Sequence, residues 1–164
     1  MKEKTICFTG HRTIRTKDGD IAASLRGLIE ILINRGYKYF GAGGAIGFDT
    51  IAAETIVNLQ CVYPDIRLIL VLPFRNQYTD GKWTKEEIKK YNDLIYKAAK
   101  VVYIQDKYSS GVYYKRNRHL IDNSSLCIAY QYKNTGGTAY TTRYAKEQNC
   151  RVIDLIEYIK KGTI

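Results

Sequence analysis

The sequence predicts an α/β fold: a mostly parallel sheet with helices on both faces, in three layers. Two observations carry this expectation. Short apolar runs alternate with segments of helical periodicity along the whole chain, as β-α-β units require. The run Arg67–Leu72 (RLILVL) is continuously apolar, the pattern of a strand buried on both faces. A length of 164 residues, 45% apolar and 26% charged, fits one domain spanning 1–164 with a sizeable core.

The elements follow in order. Residues 5–8 read as a strand that closes in a Thr9-Gly10 turn. Helical spacing of Ile21, Leu25, Leu28, Ile29, Leu32 and Ile33 predicts a helix over 20–35, stopped by Gly36. A strand over 37–42 runs into a glycine cluster, and a helix over 48–60 follows with Ile51, Ala52, Thr55, Ile56 and Leu59 on one face. Pro73 ends the strand Arg67–Leu72, and 74–83 is a polar and aromatic loop. Ile88, Tyr91, Leu94, Ile95 and Ala98 mark a helix over 85–99. A strand over 101–104, a loop over 105–112 and a helix over 113–122 come next. The strand Leu126–Tyr130, a turn over 134–137, a helix to about 148, the strand Arg151–Asp154 and the helix Leu155–Lys161 complete the chain. Right-handed crossovers place the loops after parallel strands along one edge, where open α/β sheets bind ligands. Segments 9–12, 41–49, 73–83 and 136–138 all belong to that edge.

Composition narrows the function classes. No apolar run approaches the roughly 18 residues that span a bilayer. The start, Met1-Lys2-Glu3-Lys4, leads into a short apolar run without a small-residue cleavage site, so no signal peptide is expected and the cytoplasm is the expected location. The net charge of +10 favours anionic partners. Its densest cluster is Lys115, Arg116 and Arg118. The four cysteines, Cys7, Cys61, Cys127 and Cys150, form no CxxC pair, and Cys7 and Cys127 sit in strand-like runs as buried free thiols. With two histidines, His11 and His119, and no supporting cluster, no metal site is expected. The 15 tyrosines read as core-edge residues rather than a nucleic-acid stripe.

Four local patterns carry chemistry. Gly41-Ala42-Gly43-Gly44-Ala45-Ile46-Gly47-Phe48-Asp49 joins a strand to a helix, where unpaired N–H groups favour a phosphate. Isoleucine at 46 breaks GxGxxG, and no Lys-Ser/Thr follows for a Walker A loop. Asp49 either caps the helix or accepts hydrogen bonds from a ribose or base. Asn134-Thr135-Gly136-Gly137-Thr138 is a second glycine turn before a helix, able to clasp a phosphate from the other side. Lys115-Arg116-Asn117-Arg118 offers planar guanidinium forks. In Thr9-Gly10-His11-Arg12, His11 is either an acid, base or oxyanion donor or a structural turn residue. The loop with Phe74, Arg75, Asn76, Gln77 and Trp83 either packs locally or presents Trp83, Phe74 or Tyr78 to stack on a base.

Phe8-Thr9-Gly10-His11-Arg12, Gly43-Gly44-Ala45-Ile46-Gly47-Phe48-Asp49, Arg116-Asn117-Arg118 and Gly136-Gly137-Thr138 occur in the order of the SLOG superfamily. That superfamily groups the DNA-processing Smf/DprA proteins with the Lonely Guy cytokinin-activating phosphoribohydrolases. The chain most resembles its branch of small bacterial and phage proteins similar to YpsA. The resemblance spans roughly 4–154 and includes Pro73, Gln77 and Trp83. It implies a Rossmann-like sheet, a pocket for nucleotide-derived ligands and glycine turns that bind phosphate. It also implies that Arg116 corresponds to the arginine of the Lonely Guy enzymes, and 116–118 to the Arg-Asn-Arg of the DNA-processing branch. One departure bears on activity. The Lonely Guy pattern Pro-Gly-Gly-x-Gly-Thr-x-x-Glu ends in a catalytic glutamate that this chain lacks, with Arg143 nearby instead. A carboxylate there would stabilise an oxocarbenium-like state and activate water.

The expected function is therefore binding of a phosphorylated nucleotide-derived ligand, an ADP-ribose, an NAD-derived molecule or a cyclic nucleotide signal. The chain would act as a sensor or as a sequestering protein, which would suit a phage protein opposing nucleotide-signalled immunity. The expected contacts are Thr9, Gly10, His11, Arg12, Gly43, Gly44, Ala45, Gly47, Asp49, Phe74, Arg75, Gln77, Trp83, Arg116, Asn117, Arg118, Gly136, Gly137 and Thr138. No cofactor beyond such a ligand is expected, and a homo-oligomer is. Two alternatives stand beside this reading. One is a nucleotide N-glycosidase or phosphohydrolase using Asp49 or Glu54 with His11. The other is a single-stranded nucleic-acid binder resting on the charge.

Overall fold

The computed structural model describes all 164 residues. A single six-stranded sheet runs through it, all strands parallel, in the order β4-β3-β2-β1-β5-β6. The strands are β1 (Thr5–Gly10), β2 (Tyr39–Ala42), β3 (Arg67–Leu72), β4 (Lys100–Tyr103), β5 (Leu126–Tyr130) and β6 (Arg151–Asp154). Six helices alternate with them: α1 (Ile21–Asn34), α2 (Phe48–Leu59), α3 (Lys85–Lys97), α4 (Val112–Asp122), α5 (Gly137–Glu147) and α6 (Leu155–Lys161). The expected α/β Rossmann-like, three-layer arrangement is present. No helix is long and apolar enough to cross a membrane.

Strand alternation splits the core in two. Ile6, Phe8, Phe40, Leu68, Leu70, Ile128 and Tyr130 point to one face and pack under α1, α2, α3 and α6 in a cluster of 25 buried residues. Cys7, Val71 and Cys127 point to the other and meet Leu120 and Ile121 of α4 and Ala145 of α5 in a cluster of seven. Cys7, Cys127 and Cys150 are buried free thiols, and Cys61 is exposed.

The chain winds outward from β1 through β2 and β3 to β4, then crosses back with α4 to place β5 on the other flank of β1. The loops leaving β1 and β5 therefore diverge, and a crevice opens between them at the strand ends. Thr9 and Gly10 were expected in a turn. They remain in β1 because β5 pairs with it through Gly10 and Tyr130. The turn starts at His11, whose N–H donates to the Tyr130 carbonyl at 3.3 Å. Three single turns of 3-10 helix, Lys2–Lys4, Thr16–Asp18 and Gln77–Thr79, have no counterpart in the sequence reading, being too short for a periodic signal.

The helices fall into two groups by their N-termini. Three carry side-chain caps: Asp20 accepts from the Ala23 N–H, Thr84 and Glu87 form a capping box, and Asp154 accepts from the Ile156 and Glu157 N–H groups. The other three, α2, α4 and α5, begin after Gly47, Gly111 and Gly136, each at positive φ and none with a side-chain cap.

Phe48 anchors the start of α2. It is fully buried, lies 5.6 Å from the Tyr130 ring and stands edge-on to Phe8 at 6.4 Å. Phe48→Ala is expected to cost about 3–5 kcal/mol in chemical denaturation, as lost burial plus an unfilled cavity.

Candidate functional site

The crevice between β1 and β5 is a cleft of about 310 Å³. Its floor is the end of β1, from Phe8 through Gly10, continuing into His11 and Arg12. Ala45 and Asp49 come from the glycine loop and first turn of α2, and Tyr113, Tyr114, Arg116 and Asn117 from the first turns of α4. Gly137 and Thr138 come from the start of α5. The three helices that lack side-chain caps are thus the three whose N-termini meet here. Each leaves N–H groups and a partial positive charge facing one space.

Glycines make the loop after β2 buildable. Gly47 stands at φ 80°, and a Cβ there would lie 2.2 Å from the Arg12 carbonyl oxygen. A Cβ on Gly43 would lie 2.7 Å from Arg116 Nη1 and 2.8 Å from an Asp49 carboxylate oxygen. This close approach lets α4 reach the loop. Arg116 is 6% exposed. Its Nη1 donates to the Gly43 carbonyl and its Nε to Asn117 Oδ1 at 2.7 Å. Nη2 makes no hydrogen bond within the protein, so part of a buried, always-charged fork is free at the cleft.

Asp49 lies beside it, 7% exposed, and accepts from the Ala45 N–H at 3.2 Å. Burial pushes its carboxyl up, while the Arg116 charge and the Ala45 hydrogen bond oppose that shift. Asp49 thus spends one oxygen inside its own loop, and that loop N–H is not open to a ligand. Thr9 and Thr138 are each 7% exposed, line the cleft and make no side-chain hydrogen bond within the protein.

His11 has a structural tie. Its Nε2 accepts from the Tyr132 N–H at 3.1 Å, and its ring sits 4.1 Å from the Tyr132 ring. Accepting a backbone N–H places the ring proton on Nδ1, the atom left to donate. Burial, with Lys133 and Arg15 nearby, holds its pKa below the ordinary 6.5.

Several expected contacts lie elsewhere. Phe74 is 3% exposed and packs edge-on to Tyr108 and Tyr113, behind the cleft wall. Trp83 is half-buried and packs edge-on to Tyr91, 5.5 Å away, against the core. Arg75 pairs with Asp106 and lies over the Tyr103 ring. These residues are drawn off because the 74–83 loop folds back on α3 and on the 105–112 loop rather than over β1. Tyr78 likewise stands edge-on to Tyr91.

Gln77 is 1% exposed with neither amide atom partnered, as is the Tyr91 hydroxyl, which burial pushes up to about 12. Both lie behind Gly44, on its core side. Glu54, a candidate carboxylate, faces Lys90 across α2 and α3 at 3.8 Å and lines a separate depression with Asn58 and Lys97. It cannot act with His11. Arg118 and Gly136 line a shallower neighbouring depression.

Sequence reading missed Phe8, Tyr113 and Tyr114 as lining residues. Tyr113 stands three residues before Arg116, so helical spacing alone puts it on the face that Arg116 presents.

Arg116→Met is expected to destabilise the fold by about 3–5 kcal/mol, because it orphans the Gly43 carbonyl and leaves Asp49 desolvated without its counter-charge. Arg116→Met combined with Asp49→Asn should recover part of that loss in urea melts, the signature of a coupled pair. A histidine whose folded pKa is depressed favours the fold above its unfolded value and gives up that contribution as pH falls through the folded one. The melting temperature should therefore drop as pH falls below the ordinary histidine range of about 6.5, and less steeply in His11→Asn, whose amide oxygen can still accept from Tyr132.

The chain is similar to known proteins. The YspA SLOG family model matches residues 7–161. The SPbeta prophage-derived protein YoqJ of Bacillus subtilis is 30% identical over 136 residues, covering 75% of this chain and 78% of that protein. The UPF0398 protein BH1768 of Halalkalibacterium halodurans is 29% identical over 120 residues, covering 71% of this chain and 62% of that protein. A solved structure of DNA processing protein A from Helicobacter pylori, described for its single-stranded DNA binding mode, superposes with a TM-score of 0.65 at 20% identity. It covers 98% of this chain and 74% of that one, and it shares the fold. With a family model spanning nearly its whole length, the chain belongs to the YspA SLOG family.

Proposed function

We propose that the chain binds a phosphorylated, nucleotide-derived ligand in the β1–β5 cleft. One observation carries this reading: the free Nη2 of buried Arg116 shares a cleft with three helix N-termini that no side chain caps. Arginine forks and helix N-termini both favour phosphate oxygens. The hydroxyls of Thr9 and Thr138, His11 Nδ1 and the Arg12 guanidinium complete a donor-rich lining. A volume of about 310 Å³ lies at the lower end of ligand pockets, which run about 300–1,000 Å³. It fits one phosphate with its sugar or base. Tyr113 and Tyr114 supply the aromatic surface that Phe74 and Trp83 do not.

Binding without turnover suits the residues better than catalysis. Asp49 is the one carboxylate lining the cleft, and it accepts from the Ala45 N–H in the field of the Arg116 charge. His11 Nε2 is committed to Tyr132. The reading needs no cofactor, and a cytoplasmic location fits its ligand. A single-stranded nucleic acid is the second reading, favoured by the net charge of +10 and by the superposable DNA-binding protein.

The test is a thermal-shift series with AMP, ADP-ribose, NAD, cyclic dinucleotides and oligothymidylate at two salt concentrations. A ligand at a hundredfold excess over its dissociation constant adds about 2.7 kcal/mol to apparent stability. A shift with one nucleotide class, lost in Thr138→Asp, supports the reading. A shift with the oligonucleotide alone, falling steeply with salt, moves the assignment to the second reading. No shift with any of them sinks both. Chromatography of the mixtures separates intact ligand from released base or phosphate. Light scattering with and without ligand separates a sensor, which changes oligomeric state, from a protein that sequesters.

A further inference from the structure

Beside the cleft, α4 and α5 form a ridge that the cleft does not use. Gly136 at the start of α5, with Tyr140 and Arg143 along one stripe of that helix, and Tyr114, Lys115 and Arg118 from α4 surround a shallow depression of about 390 Å³. Tyr114 lines both spaces, so the depression continues the cleft across one shared side chain. The ridge has an aromatic ladder. The Tyr114 and Tyr140 rings stand edge-on with centroids 4.6 Å apart, and Tyr140 and Tyr144 lie parallel at 6.4 Å. Tyr114 is 43% exposed.

The ridge also has unneutralised charge. Arg118 Nη1 donates to the Tyr140 hydroxyl at 2.7 Å. No carboxylate lies within ion-pair distance of Lys115, Arg118 or Arg143, although ion pairs form elsewhere on the surface. Asp122 marks the far end, where it accepts from Tyr144 at 2.8 Å.

An exposed ring, Tyr114, backed by the half-buried Tyr140 and Tyr144 and set beside cations without carboxylate partners, is what single-stranded nucleic acid requires, because bases stack and phosphates pair. We propose that this ridge is a second nucleotide subsite. It would hold a unit joined by a phosphodiester to the nucleotide whose phosphate occupies the cleft. The proposal rests on the reading of the cleft as a phosphate site, and it deepens that reading: the ligand has at least two linked nucleotides. Tyr114 receives the second base, and Lys115, Arg118 and Arg143 receive the linking and following phosphates. The same chemistry is found in a free dinucleotide and in the end of a DNA strand.

The experiment compares AMP, a linear diadenylate and a labelled oligothymidylate of about ten nucleotides. It uses calorimetry and anisotropy on the wild-type chain and on Lys115→Glu and Arg143→Glu. The wild type should bind the diadenylate roughly tenfold or more tightly than AMP. Both variants should lose that gain while binding AMP as before, with unchanged melting temperatures. Each lost cation should also lower the salt slope of oligonucleotide binding by about one. Diadenylate binding without a further gain for the oligonucleotide supports the subsite with a free dinucleotide as its source. A further gain supports it with a strand. Equal affinity for AMP and diadenylate, or variants that change neither, overturns the subsite and leaves the cleft reading intact. Failure of the wild type to bind either AMP or the diadenylate overturns this proposal, while the cleft reading falls only if no nucleotide in the thermal-shift series binds. A variant that alters oligomeric state in light scattering, with diadenylate affinity unchanged, overturns the subsite in favour of self-association.

Discussion

The site depends on a buried guanidinium held against a backbone that carries no side chain. Arg116 reaches from α4 to the Gly43 carbonyl at the end of β2, and Asp49 on α2 supplies the nearby negative charge. Burial lowers the pKa of Arg116, and the field of Asp49 opposes that shift. Taking these charges out of water is costly, and neither stands well without the other. Their presence fixes where α4 starts relative to the glycine loop. That in turn decides that Tyr113, Tyr114 and Asn117 line the cleft. Gly43 is the condition for all of this, because a Cβ there would occupy the space of both charged groups.

Around this contact the chain divides its helices by what their N-termini must face. Helices that begin away from the cleft close their first turn with Asp20, Thr84 or Asp154. Those that begin at the cleft enter through glycine without a side-chain cap; Phe48 and Val112 donate to the His11 and Ser109 carbonyls, and the N–H groups that follow are left to solvent or to a ligand. Side-chain capping stabilises a helix by roughly 1 kcal/mol, so omitting it at three converging ends gives up stability where an anion would restore it. The exception is Asp49, which turns inward to the Ala45 N–H and lies in the field of the Arg116 charge. The donors left for a ligand are therefore concentrated on the Arg116 and α5 sides, away from the glycine loop that the sequence pattern makes most prominent.

Much of the fold was legible in the sequence because its signals are local. Continuous apolar runs located β3, β5 and β6 with their bounds, and the last helix followed from the short segment after β6. Boundaries slipped where pairing rather than composition sets the end. Thr9 and Gly10 carry turn chemistry, yet β5 extends β1 through both. The glycine turns, Arg116 and the end of β1 were legible as a group because strand ends in a parallel sheet share an edge. The aromatic loop was not. Phe74 and Trp83 are as suited to stacking on a base as to packing on tyrosines, and only the partners offered by α3 and the 105–112 loop decided between these. Glu54 failed as a candidate for a similar reason: it shares a helix with Asp49 but faces Lys90.

By itself the sequence determined the number and order of the strands and helices, the parallel sheet and the edge at which phosphate chemistry collects. Each of these follows from periodicity, glycine placement and crossover handedness, which are properties of short stretches of chain. The tertiary structure alone decided that β5 returns beside β1, which opens the crevice, and that Arg116 is buried with one terminal nitrogen left free. It also decided that three uncapped helices converge on one cleft. These depend on contacts between residues far apart in the chain, such as the 73 positions between Gly43 and Arg116. No local pattern encodes such contacts, because the free energy that selects them comes from burying groups contributed by several elements at once.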